Sequence, residues 1–131
     1  RLSISLAETF NIPYKGINKL FCGGILMIRE IGGSNFIQEV MNSEETVVVD
    51  FWAPWCGPCK MLGPVMEELS HDMEGKAKFF KINVDENPEI AQQFQIGSIP
   101  NVMVFKGGKV VENLIGFRPK QDFEKSIGKH I

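Results

Sequence analysis

The chain has 131 residues, of which 44% are hydrophobic and 23% are charged, a composition typical of one globular domain with a sizeable core. Its net charge of -2 gives no electrostatic reason to expect nucleic acid as a partner. Three cysteines are too few for a disulfide framework, and this usage suits a reducing compartment.

Residues 1–26 differ from the rest of the chain, because they show poor periodicity and contain only one acidic residue. We expect Met27 to be the natural start, and residues 1–26 to be an extension without a function, derived from an expression vector or from upstream translation. A targeting sequence is the alternative. However, the apolar run over 20–28 has no small-residue cleavage site after it and is too short to span a membrane. Within the extension, Cys22 is expected to be a bystander thiol.

The next part of the chain alternates between strand and helix patterns. A short strand is predicted over 28–31, and Ser34 is the expected N-cap of a first helix. The strand over 46–52 contains three consecutive valines, a pattern typical of a strand buried on both faces. A long helix follows from about Pro58 to Met73, and Pro64 inside it should kink the helix. The apolar positions of the first helix are Phe36, Ile37, Val40 and Met41.

The remaining part of the chain predicts a strand over 77–84 and a short helix over 85–94. Two strands over 101–105 and 109–116 are predicted on either side of Gly107-Gly108. Because glycine permits the positive φ of a tight turn, we expect these strands to form a hairpin. A final amphipathic helix begins at Pro119. The order β-α-β-α-β-α-β-β-α indicates an α/β fold with a central mixed sheet and helices on both faces.

The chemistry is predicted at a Cys-Gly-Pro-Cys segment, which lies between the valine-rich strand and the long helix. Cys56 falls at the helix N-terminus, where free N–H groups and the helix dipole stabilise a thiolate. Cys59 lies one turn further in, and we expect it to be more buried and protonated at rest. One sulfur can then attack a disulfide and the other can resolve the mixed disulfide. This spacing near a βαβ pattern is a known redox motif.

Two other interpretations of the cysteine pair are a half zinc site and a structural disulfide. Zinc prefers four ligands, whereas the chain contains three cysteines, two histidines and no second Cys-x-x-Cys. A disulfide that closes so short a loop removes little chain entropy, so it would stabilise the fold weakly. We therefore predict a redox pair and no metal site.

The segment Val-Asp-Phe-Trp-Ala-Pro-Trp-Cys-Gly-Pro-Cys-Lys resembles the active-site segment of the thioredoxin family, and the resemblance runs from about Ile28 to the C-terminus. It implies the thioredoxin fold over 27–131 and a protein-disulfide reductase, in which Cys56 attacks and Cys59 resolves. It also implies that no cofactor is bound beyond the redox-active Cys56–Cys59 disulfide, and that thioredoxin reductase regenerates the dithiol. We expect a cytoplasmic monomer that acts on disulfide-containing proteins, away from membranes.

Asp50 interrupts the apolar strand before the cysteines. Burial there would raise its pKa and let it accept the Cys59 proton, whereas an exposed, inert Asp at a frayed strand end is the alternative. The resemblance favours the buried Asp and implies that Lys81, on the neighbouring strand, modulates it.

The resemblance also implies a substrate surface around the cysteine pair. Pro100 matches a cis-proline of the family, and the backbone of the preceding Ile99 would bind an extended substrate. Asn101 departs from the family, which usually has Thr there. Met61 and Met66 are expected in the core. Further positions matching the active-site loop and its apolar rim are Trp55, Gly57, Pro58, Ile115 and Gly116, with ordinary core or turn packing as the alternative.

Two rival functions share this fold. An oxidase or isomerase of the secretory type favours His at the second position between the cysteines, which makes the disulfide more oxidising. Pro58 occupies that position here and favours the reductase. A non-catalytic binding module would be expected to lose one cysteine, whereas a redox-capable binding subunit of a larger assembly would keep both.

Overall fold

The computed structural model describes residues 28–131, so the predictions for the extension, including Cys22, lie outside the described residues. Within these residues one five-stranded sheet has the strand order β1-β3-β2-β4-β5. The strand β3 pairs in parallel with β1 and β2, and β4 pairs antiparallel with β2 and β5. The strands are β1 Ile28–Glu30, β2 Thr46–Trp52, β3 Ala77–Asn83, β4 Asn101–Lys106 and β5 Lys109–Ile115.

Helices connect the strands in the predicted order. In the described part of the chain they are α1 Gly33–Phe36, which continues into a π-helical turn Ile37–Met41, α2 Gly57–Asp72, α3 Pro88–Gln93 and α4 Lys120–Gly128. The predicted α/β class with a mixed sheet is therefore confirmed, and the ends of most elements differ by only a residue or two. Pro64 lies inside α2 as expected. None of these helices is long and apolar enough to cross a membrane.

The start of α1 differs from the prediction that Ser34 is its N-cap. Gly32 is the N-cap residue, and as a glycine it has no side chain that could cap the helix. Instead, the Gly33 N–H donates to Asn87 Oδ1 over 3.0 Å. A Cβ on Gly32 would come within 2.9 Å of the same oxygen, so a larger residue there would displace the Asn87 side chain from this hydrogen bond. A contact distant in sequence has replaced the local cap.

The strand β2 divides the core into two layers, because successive side chains point to opposite faces of a sheet. Val47 and Val49 pack with Phe36 and Val40 on one face. Val48 packs on the other face with residues of α2 and α4. All three valines are fully buried, which confirms the prediction for this strand. Asp50 has the same parity as Val48, so it lies on the sheet face covered by α2.

The hairpin between β4 and β5 turns at Gly107 and Gly108. Their φ angles are 60° and 79°, in the left-handed region that favours glycine, as the sequence predicted. The turn pairs Lys106 with Lys109, and a register shift between Val104 and Phe105 then places Ile115 opposite Asn101, at the end of the sheet nearest the cysteines.

Candidate active site

The two cysteines lie where β2 leads into α2. Cys56 is the N-cap residue of α2, with extended backbone angles, and Pro58 follows in the first turn. The Cys59 N–H donates to Cys56 Sγ over 3.2 Å, so the first sulfur takes the place of a capping oxygen. The two residues form a disulfide, with Cα atoms 5.2 Å apart. The spacing of the motif therefore brings both sulfurs into the first helical turn.

Exposure does not distinguish the two cysteines, since Cys56 is 5% and Cys59 is 4% exposed. Greater burial of Cys59, which the sequence suggested, is therefore not the source of any asymmetry between them. Their surroundings differ instead. Cys56 Sγ lies 3.8 Å from the carbonyl oxygen of Ile99, whereas Cys59 lines a cavity together with Asp50. The first sulfur thus faces the loop before β4, whereas Cys59 shares a cavity with a buried carboxyl group.

Asp50 is buried, with 5% of its surface exposed, so the exposed position that the sequence left open does not occur. Its Oδ1 has no hydrogen-bond partner among the described residues. Burial raises the pKa of Asp50 to about 7, Lys81 opposes this rise, and Glu30 adds to it. A carboxyl group with this pKa exchanges a proton near neutral pH.

The cavity beside Asp50 has a volume of about 610 Å³. Polar and charged side chains contribute to its wall, and Lys81 is paired in register with Asp50. The Lys81 ammonium lies 4.5 Å from the centroid of the Trp52 ring. The cavity has polar groups in its wall and is large enough to admit water.

The loop before β4 faces the first cysteine. The Ile99–Pro100 peptide bond is cis. The Gly116 N–H donates to the Pro100 carbonyl over 2.7 Å, and Gly116 has a φ of 89°. The end of β5 therefore fixes the loop whose Ile99 carbonyl approaches Cys56. The structure thus brings together the predicted positions Ile99, Pro100 and Gly116.

An exposed apolar surface adjoins this loop and the start of α2. Trp55 is 69% and Ile115 is 49% exposed, so core packing of Ile115 is excluded. Met61 is also exposed, which makes its predicted place in the core wrong, whereas Met66 is buried as predicted. Phe117, which the sequence reasoning missed, is exposed directly after Gly116.

Asp85 is a second residue that the sequence reasoning missed. Its Oδ2 accepts a hydrogen bond from Trp55 Nε1 over 2.8 Å, which fixes the indole beside the cysteines. A signal was available, because Asp85 follows β3 at the sheet edge where β2 delivers the cysteine pair. Carboxyl ends of neighbouring parallel strands lie at the same edge.

Asn101, directly after the cis-proline, is 3% exposed. Its Oδ1 has no hydrogen-bond partner in the described part of the chain. At the position where the family usually has Thr, this chain therefore carries an amide whose buried oxygen has no partner. Across residues 28–131 no cluster of three or more His, Cys, Asp or Glu side chains is arranged to hold a metal ion.

The sheet order, the cysteine pair at the N-terminus of α2 and the facing cis-proline together define a thiol–disulfide oxidoreductase of the thioredoxin fold. The Thioredoxin family model matches residues 27–129. The chain is 54% identical over 102 residues to a thioredoxin of Chlorobaculum thiosulfatiphilum, covering 78% of this chain and 94% of that protein. It is 48% identical over 102 residues to thioredoxin 1 of a Nostoc species, covering 78% and 95%.

A solved structure of the Malassezia sympodialis thioredoxin matches with a TM-score of 0.74 and 37% identity, and covers 80% of this chain and 91% of that chain. The chain therefore belongs to the thioredoxin family. It is a protein-disulfide reductase that works by dithiol–disulfide exchange through the Cys56–Cys59 pair.

Proposed function

We propose that Cys56 is the nucleophile and that Cys59 resolves the intermediate. In the reduced protein the Cys56 thiolate attacks one sulfur of a substrate disulfide, and the other substrate sulfur leaves as a thiolate that takes up a proton. Cys59 then loses its proton and attacks the Cys56 sulfur, which releases the second substrate thiolate and forms the Cys56–Cys59 disulfide. The observation that carries this assignment is the 3.2 Å hydrogen bond from the Cys59 N–H to Cys56 Sγ, since the same N–H stabilises a thiolate there.

Asp50 is the acceptor of the Cys59 proton. Both residues line one cavity, and burial raises the pKa of Asp50 to about 7, so the carboxyl group is partly ionised at neutral pH. Water in the cavity carries the proton between the two groups and out to solvent. Lys81 modulates this step, because its positive charge lowers the pKa of Asp50 against the effect of burial.

The substrate lies across the loop before β4. The Ile99 carbonyl, 3.8 Å from Cys56 Sγ, is placed to pair with the backbone of an extended substrate beside the reacting sulfur. Pro100 shapes this loop, and Gly116 fixes it through the Pro100 carbonyl. Exposed apolar side chains of Trp55 and Ile115 cover the flanks of the bound segment. Gly57 and Pro58 complete the active-site loop without adding a charge between the cysteines.

The protein belongs to an electron-transfer chain in which thioredoxin reductase returns the disulfide to the dithiol. Residues 27–131 are the thioredoxin domain, and residues 1–26 are an extension to it. The domain works in the cytoplasm as a monomer, needs no bound cofactor and acts on disulfide-containing proteins rather than on nucleic acid. The family match over residues 27–129 supports the thioredoxin domain and the disulfide-containing substrates.

Substrate trapping tests the two cysteine roles. Cys59→Ser should accumulate a covalent complex with a disulfide substrate, because attack proceeds and resolution does not. Cys56→Ser is the matched control, since it removes the same functional group one turn away, and it should form no complex. The adducts are measured by non-reducing electrophoresis and mass spectrometry. A covalent complex in Cys56→Ser and none in Cys59→Ser would reverse the assignment.

A further inference from the structure

Three charged side chains lie in one row across the sheet. Glu30 on β1 is paired in register with Lys81 on β3, and Lys81 is paired with Asp50 on β2. Residues paired in register point to the same face of a sheet, so Lys81 stands between Glu30 and Asp50 in this row. All three residues line the cavity that Cys59 also lines.

Trp52 holds the outer part of this row together. Its Nε1–H donates to Glu30 Oε2 over 3.2 Å. The Lys81 ammonium lies 4.5 Å from the centroid of the same ring. One indole therefore contacts the carboxylate through its edge and the ammonium through its face, and keeps the two groups side by side.

From this arrangement we infer that Glu30 is a positioning residue, which shares the Lys81 charge with Asp50 and so keeps the Asp50 carboxyl group able to hold a proton at neutral pH. With Glu30 present, the ammonium group is attracted from both sides of the row. Without the Glu30 charge, the ammonium group interacts with Asp50 alone and favours its ionised form.

The electrostatics of Asp50 have the signs that this proposal requires. Burial raises its pKa most, Lys81 lowers it, and Glu30 raises it. Glu30 is largely exposed, so its effect is smaller than that of burial and is weakened by salt. The charged groups that line the cavity with Asp50 come from β1, β3 and α2, and are Glu30, Lys81, Lys60 and Glu67. Cys59 lines it too but carries no charge in the disulfide.

The direct test is the Asp50 pKa, measured by ¹³C NMR of its carboxyl carbon in the oxidised protein. Glu30→Gln should lower this pKa by roughly half a pH unit at low salt, of which direct repulsion between charges about 10 Å apart, across two strand spacings, supplies only a part. Gln keeps an oxygen that accepts the Trp52 N–H, so the substitution removes charge and leaves the contact. The shift should shrink in 1 M salt, where the screening length is about 3 Å.

Three further variants separate this role from a structural one. Glu30→Asp keeps the charge and should restore the pKa towards that of the unaltered protein. Glu44→Gln removes an exposed carboxylate before β2 that does not line the cavity, and should leave the Asp50 pKa unchanged. In a Lys81→Met background, Glu30→Gln should produce a clearly smaller shift, because only the direct repulsion between Glu30 and Asp50 remains.

An unchanged or raised Asp50 pKa in Glu30→Gln would overturn the inference. A full shift in the Lys81→Met background would also overturn it, since Glu30 would then act without the lysine. The kinetic consequence rests on the proposed role of Asp50 as proton acceptor, and the two can fail separately. If the NMR shift occurs but the pH profile of disulfide reduction does not follow it, the placement of Glu30 stands and the proton-acceptor role fails.

Discussion

Replacing Asp50 with Asn should stabilise the protein in alkaline solution and slow its chemistry in neutral solution. Asn has nearly the same shape as Asp but does not ionise. The folded protein therefore no longer buries a charged group when the pH is high. The same substitution removes the proposed acceptor of the Cys59 proton.

The structure gives the size and the pH window of the stability effect. The Asp50 pKa rises from 3.8 to about 7 on folding, so the folded state binds more protons than the unfolded state between these values. Stability therefore falls as the pH rises through this window, and the full penalty is present above pH 7. At 1.36 kcal/mol per pH unit the penalty for the ionised Asp50 is about 4 kcal/mol. This is the upper limit of the gain in Asp50→Asn, because the buried amide must also find hydrogen-bond partners.

The assay is urea unfolding of the oxidised protein near pH 4 and near pH 8. Asp50→Asn should match the unaltered protein near pH 4 and exceed its free energy of unfolding near pH 8. Glu44→Gln, which removes an exposed carboxylate, serves as the control and should show no such difference. An Asp50→Asn variant that gains nothing between pH 4 and pH 8 would refute the buried, ionising carboxyl group.

The same variant tests the chemistry. Disulfide reduction should slow by at least about tenfold at pH 7, and should approach the rate of the unaltered protein near pH 9. The reference pKa of a thiol is about 8.5, so at that pH solvent can take the proton that Asp50 no longer accepts. Equal rates at pH 7 would show that Asp50 is not the proton acceptor, whatever its effect on stability.

Two further predictions follow from the same site. Asn101→Thr, which restores the usual family residue, should raise the free energy of unfolding in urea by about 1 kcal/mol, because a single hydroxyl replaces an amide whose buried oxygen has no partner. No gain would mean that the amide oxygen is satisfied in solution. Pro58→His should raise the reduction potential of the cysteine pair, measured against glutathione, from about −270 mV towards about −180 mV. The reason is that a cationic ring beside the cysteines stabilises the thiolate of the reduced form. An unaltered potential would remove Pro58 as the reason for expecting a reductant.

The sequence predicted the elements whose cause is local. Three valines in a row and a proline after the first cysteine are sufficient to define β2 and the start of α2, and both lie where the pattern indicated. Gly107 and Gly108 likewise identify the hairpin by the φ angles they allow. In each case the residues that cause the structure are the residues that adopt it.

Features that depend on distant partners were missed. The start of α1 is fixed by Asn87, which is 54 positions from Gly33, and the sequence offered only the nearby Ser34. Met61 has an apolar side chain at helical spacing, but it lies on the exposed side of α2, near the cysteines, and is in contact with solvent. Glu30 reads as an ordinary strand charge until the pairing of β1 with β3 places it beside Lys81.

The period-2 pattern of β2 explains why one residue both destabilises the fold and serves the chemistry. A strand buried on both faces has no solvated position, so a carboxyl group placed in it must be desolvated. Asp50 shares the face of Val48, which α2 covers, and α2 also carries Cys59. Moving the acid by one residue would turn it to the opposite face, where the sheet would separate it from the cysteines. The acid can therefore reach Cys59 only from a buried position, and its raised pKa and its cost to stability have the same cause.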